Sequence, residues 1–214
     1  MQMENEYEYL KLNRFTSVPF VFDLVNRKVL TLVNPELWED YNDRATMQVY
    51  KEKVGAKSIY ALCLTHRHET IHHWNAFANG PSGCKIEFRY NQLIAELEQN
   101  KGVLHGETKY MKVNELTQNT NFPIAQLPFV KRLPFKPENE YRILVVSDLD
   151  QTSVLDIPIQ LDCIRSITFS NKLPKPTYES LKRTLLLVEP GLKGKILRST
   201  LYKNSQWIDY FNSI

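Results

Sequence analysis

What this sequence lacks narrows it before any motif is read. No stretch approaches 18 consecutive apolar residues, so no helical segment is expected to span a membrane. Residues 1–8 are acidic and carry no apolar core, unlike a secretory signal. The cysteines, Cys63, Cys84 and Cys163, are widely separated and show no paired spacing. Reduced, buried thiols are the expectation. The formal net charge of +3 is too slight to argue by itself for a nucleic-acid partner. There is no glycine-rich phosphate loop, no internal repeat and no low-complexity tract.

What is present is ordinary globular material: 214 residues, 43% hydrophobic and 24% charged, enough for a substantial core. A soluble, cytoplasmic chain is expected, with a flexible tail over 1–8 and a single α+β domain over 9–214. Alternating apolar and polar residues predict strands over 9–15, 29–33, 58–65, 83–90 and 102–113. Later strands are expected over 154–159, 163–169 and 195–202. Helices are expected over 18–26, led by Phe20, Phe22, Leu24 and Val25, and over 74–80, 92–99 and 177–188. An irregular helix over 36–53 would align Trp38, Tyr41, Met47 and Tyr50, and Trp207, Tyr210 and Phe211 would pack as a tail. Strands and helices intersperse without strict βαβ order. The fold expected is therefore α+β, with a mixed, mainly antiparallel central sheet flanked by short helices.

The central stretch runs from Phe135 to Val146. Pro134 and Pro137 lack amide donors and argue for a loop, after which Tyr141-Arg-Ile-Leu-Val-Val146 reads as a buried strand. Glu138 and Glu140, spaced by two where the strand begins, would share a face with Arg142. Such a row is either a structural ion-pair ladder or a catalytic edge.

Three other groupings bear on chemistry. His68-Glu69-Thr70-Ile71-His72 matches the H-E-x-x-H pattern, in which two histidines one helical turn apart hold zinc and the glutamate is a general base. Against zinc, His68 follows a strand directly and would sit at a helix start, so no metal is expected. Arg14, Thr16 and Ser17 place a guanidinium and two hydroxyls where a strand meets a helix, a serviceable phosphate site. Trp38-Glu-Asp-Tyr-Asn-Asp-Arg44 sets three acids among aromatics, either a ligand site or a solvated helix start.

Taken together, these residues carry a resemblance. The succession Arg14-Phe-Thr-Ser17, Asn34-Pro35, Trp38-Glu-Asp40, Cys63-Leu-Thr65, His73-Trp74-Asn-Ala-Phe77, Gly83-Cys-Lys-Ile86 and Phe135-Lys-Pro-Glu-Asn-Glu-Tyr-Arg142 resembles a large bacterial family filed as domain of unknown function 2971. More distantly, a first strand ending in Arg and a late strand opening with Glu-x-Glu are similar to the ADP-ribosyltransferase superfamily. That resemblance implies an ADP-ribosyltransferase-like fold and a transferase that uses NAD as its substrate. It implies that Arg14, Thr16, Ser17 and Thr65 hold NAD, with Glu140 and Glu138 as the catalytic carboxylates. It also implies a phage-defence or toxin setting, an acceptor that is protein or nucleic acid, and an antitoxin or defence-system partner. Two alternatives stand beside it: a zinc-dependent hydrolase on His68, Glu69 and His72, and a non-catalytic interaction module.

Overall fold

The computed structural model describes residues 11–117, 122–149 and 152–214. The expected flexible tail over 1–8 lies outside these described residues. In chain order come β1 (Lys11–Ser17), α1 (Val18–Arg27), β2 (Val29–Val33), α2 (Tyr41–Val54), β3 (Ser58–Thr65), α3 (Ile71–Phe77), β4 (Gly83–Arg89), α4 (Tyr90–Leu97) and β5 (Val103–Glu107). There follow β6 (Lys109–Met111), α5 (Val113–Thr117), β7 (Val130–Arg132), β8 (Glu140–Ser147), β9 (Val154–Pro158), β10 (Ile164–Phe169), α6 (Lys175–Val188), β11 (Ile196–Arg198) and α7 (Ser205–Asn212). The architecture is α+β and mainly antiparallel, as composition and patterning led us to expect. Contacts divide the chain, expected as one domain, into two compact units: residues 1–28, 67–89 and 161–214, and residues 29–66 and 90–160. Among the described residues no helix is long and apolar enough to cross a membrane.

In the first unit the strands run β11-β10-β4-β1, with β11 parallel to β10 and the other pairs antiparallel. Side chains alternate between faces, so register assigns them. Leu12, Ile86, Phe88, Ile167 and Phe169 are fully buried on one face. Two helices cover it: α1 packs on β1 and β4 and also meets α6, whose Tyr178 sets its ring edge on Phe169 at 5.8 Å. In α1 the buried positions are Val21, Leu24 and Val25, while Phe20 is exposed. The opposite face carries Asn13 and Phe15 beside Glu87 and Lys85. There α3 seats Trp74 edge-on to the Phe15 ring at 5.6 Å. Gly83, which opens β4, passes so close to the Ala78 carbonyl that any Cβ would collide with it.

The second unit orders its strands β5-β8-β3-β2-β9, all antiparallel, with β6 and β7 as a small parallel pair. The predicted strand over 102–113 is broken after Glu107, giving β5 and β6. One face of this sheet packs Ile59, Ala61 and Leu144 under Met47 and Tyr50 of α2. That helix is capped by Asp40, whose carboxylate accepts from the amides of Asn42 and Asp43, and it ends at Gly55 in the left-handed conformation. Its start at Tyr41 excludes Trp38 from the helix and leaves Tyr41 itself exposed.

The helix α3 gives a direct test of packing. Trp74 is 5% exposed and Phe77 is 46% exposed. Truncating Trp74 to Ala should cost roughly 3–5 kcal/mol in urea unfolding, whereas Phe77→Ala should cost under about 1 kcal/mol. Equal costs would place both rings in the same environment.

Candidate active site

The segment before β8 folds differently from the loop its prolines suggest. Leu133–Glu138 is a 3-10 helix with Pro134 in its first turn and Pro137 inside. So short a turn asks for few amide donors, and proline is no obstacle at its start. It ends at Asn139, whose φ of 46° lies in the left-handed region that asparagine tolerates. β8 then begins at Glu140, two residues later than a strand carrying both glutamates requires. Glu138 therefore reaches the cluster from a turn, while Glu140 and Arg142 share a strand face.

Arg142 is the hub. It is fully buried, and its guanidinium donates to four oxygens. Nε bonds Glu140 Oε1 at 2.6 Å, Nη1 and Nη2 grip both oxygens of Asp43 at 3.1 and 2.8 Å, and Nη1 also reaches the Pro128 carbonyl at 2.8 Å. The Trp38 ring lies 5.0 Å from the guanidinium carbon. Opposite stands Lys131, donating to Glu138 at 2.7 Å and Glu140 at 3.2 Å, with Asp43 at 3.7 Å. The Phe135 ring lies 4.8 Å from its ammonium.

These five charges set one another's ionisation. Burial alone would raise the Glu140 pKa, but Arg142 and then Lys131 outweigh it and draw it down to about 2. Asp43 goes the other way, because desolvation exceeds what Arg142 gives back. Burial would lower the Lys131 pKa, yet Glu140 and Glu138 hold it above the usual lysine range. With every member ionised the cluster holds three carboxylates, Asp43, Glu138 and Glu140, against two cations, Arg142 and Lys131.

Cys63 stands opposite Arg142 on β3. Its side chain reaches solvent, contrary to the buried thiol expected there; Cys84 and Cys163 are buried. Yet desolvation and then the Glu140 carboxylate push the Cys63 thiol well above the usual range. Thr65, opposite Glu140, donates its hydroxyl to the Glu138 carbonyl at 2.7 Å, with the Asn139 carbonyl at 3.0 Å. It thereby holds the turn that carries both glutamates.

The remaining candidates are placed as follows. Arg14 is buried opposite Ile86 and Thr16 opposite Cys84, both on β1 in the first unit, whereas Glu140, Glu138 and Thr65 belong to the second. Ser17 occupies the N-cap position of α1, but its side chain makes no cap hydrogen bond. The H-E-x-x-H stretch is not one helix: Thr70 is the N-cap of α3, accepting from the His73 amide, so His68 precedes the helix and only His72 lies on it. His68 Nδ1 sits 2.7 Å from the Lys11 ammonium, a cation where a metal ligand would need none. Glu69 accepts from the Ser199 hydroxyl. Among the described residues no group of three His, Cys, Asp or Glu side chains gathers as metal ligands.

Sequence reasoning placed Asp43 among acids near a helix start and missed its pairing with Arg142, 99 positions away. The signal was present: Asp40 is the better N-cap, which frees Asp43, three residues on, to point inward. A second polar cluster was also missed. On the other face of the second unit, His105 Nδ1 meets the Tyr141 hydroxyl at 2.7 Å, Tyr90 stands 3.3 Å from the same oxygen, and His66 sets its ring edge-on to Tyr141 at 5.4 Å. Comparison with family models, with curated proteins and with solved structures returns no match to this chain.

The Glu140 pKa fixes a pH dependence. A carboxylate whose pKa is lowered on folding contributes stability above its unfolded pKa and loses it as pH falls through the folded value. With ordinary and folded values of 4.5 and about 2, the window runs from about pH 5 down to about pH 2. The contribution is about 3 kcal/mol. Urea unfolding should show wild type losing stability across this window faster than Glu140→Gln, the two curves converging at the acid end. Parallel curves would mean Glu140 is not held ionised by its neighbours.

Proposed function

We propose that this chain is an ADP-ribosyltransferase-like protein that takes NAD as substrate, with Glu140 as the fixed carboxylate of its site. Departure of nicotinamide builds positive charge on the ribose, and a preorganised negative group beside that charge lowers the barrier. The observation that carries the reading is the excess carboxylate. Arg142 and Lys131 orient Glu140 and keep it ionised, yet the cluster as a whole retains more negative than positive groups. In this reading the exposed Cys63, opposite Arg142 on the neighbouring strand, marks the side from which a substrate approaches that carboxylate. Thr65 holds the glutamate-bearing turn in place. In this reading Glu138 supports Glu140 through their shared lysine.

A second reading, a non-catalytic interaction module, draws on one observation. Both Glu140 oxygens already have cationic partners and the side chain is 3% exposed. An ion network of that kind serves structure alone when no substrate enters.

Nicotinamide release from NAD, read by chromatography, separates the two. The enzymatic reading expects turnover by wild type and a fall of about 10² or more in Glu140→Asp, which keeps the charge but withdraws it by one methylene. It also expects NAD to raise the melting temperature of both proteins. Absence of turnover and of any NAD-induced shift, with Glu140→Asp affecting stability alone, would leave the interaction module.

A further inference from the structure

The end of the chain was expected to pack as a tail, and it does not. Trp207, Tyr210 and Phe211 lie three and four apart on α7, hence on one side of the helix. They are 69%, 64% and 55% exposed. The Trp207 and Tyr210 rings both stand 5.2 Å from that of Phe211, so the three form a continuous aromatic strip. At its N-terminal end the strip borders a solvent-open groove of about 900 Å³, lined by Glu69, Tyr202, Lys203, Gln206 and Trp207 among others. The groove lies wholly within the first unit. Tyr202 is itself exposed, and the Lys172 ammonium stands 5.8 Å from its ring centre.

Charge follows the same segment. Residues 161–214 hold nine Lys and Arg against four Asp and Glu, while the rest of the chain holds 18 against 20. The slight overall charge therefore conceals a basic segment beside a faintly acidic remainder. Of the acids near the groove, Glu69 is hydrogen-bonded to Ser199.

We infer that this groove and strip bind single-stranded nucleic acid. Flat aromatic rings open to solvent stack on bases of any sequence, and lysines beside them track the phosphates. A duplex hides its base faces within its own stack and cannot use the rings in this way. A membrane surface is disfavoured by the helix itself, which carries no Lys or Arg and one Asp, the reverse of an interfacial helix. The inference is independent of NAD chemistry, since nothing in it requires the carboxylate cluster.

The test is fluorescence anisotropy with a labelled 12-nucleotide oligo(dT), its oligo(rU) counterpart and the matching duplex, without NAD, across a salt series. Both single strands should bind at low salt, more tightly than the duplex, with affinity falling as salt rises. Trp207→Ala should weaken binding about fivefold or more. Tyr202→Ala should weaken it too, and both variants should melt as wild type does because both rings are exposed. Absence of binding at low salt, equal binding of duplex, or affinity untouched by Trp207→Ala would overturn the assignment. So would a dimer in sedimentation equilibrium that Trp207→Ala dissolves, since a second copy would then be what covers the strip.

Discussion

A guanidinium with no access to solvent is the constraint on which the second unit depends. Arg142 cannot shed its charge, so the chain must bring it oxygens. Asp43 comes from α2, Glu140 from the same strand, and the Pro128 carbonyl from the segment before β7. Each donor–acceptor pair fixes one more piece of chain against the sheet. Two carboxylates around one cation would leave negative charge in excess, and Lys131 answers by bridging Glu140, Glu138 and Asp43. The 3-10 turn and the left-handed Asn139 follow, because Glu138 must reach back to that lysine.

Such a network costs desolvation of every member, and an apolar packing of similar volume would often be as stable. What it provides is position. Glu140 is held from two sides, ionised, in a strand whose amide bonds the Tyr110 hydroxyl. A carboxylate so fixed needs no reorganisation when positive charge appears near it, which is the property the proposed chemistry uses. The same order in a protein with no substrate would be simply a rigid core.

Much of the fold was legible because it is written in side-chain alternation. β3 and β4 are read from Ser58-Ile-Tyr-Ala-Leu-Cys-Leu-Thr65 and Gly83-Cys-Lys-Ile-Glu-Phe-Arg89 with bounds correct to a residue. β8 was recognised as the central strand, and the pairing of Glu140 with Arg142 follows from its period of two. The Asp40 cap hints that Asp43 turns inward, but which residue it meets was not legible, because a partner 99 positions away leaves no trace in local pattern. The H-E-x-x-H match misled because pattern says nothing of where a helix begins, and the Thr70 cap puts the first histidine outside it. Trp207, Tyr210 and Phe211 misled for a different reason. Aromatic content argues for burial only on average, and these three are exposed where the chain turns basic.

The second unit thus gathers Asp43, Glu140, Lys131 and Glu138 around Arg142, while the aromatic rings of α7 lie exposed in the first. The central claim, that Arg142 and Lys131 hold Glu140 as a fixed anion, is tested most directly by ¹³C NMR of the Glu140 side-chain carboxyl through an acid titration. The account predicts a midpoint near the value of about 2 that its neighbours impose. A midpoint in the ordinary glutamate range, near 4.5, would contradict it.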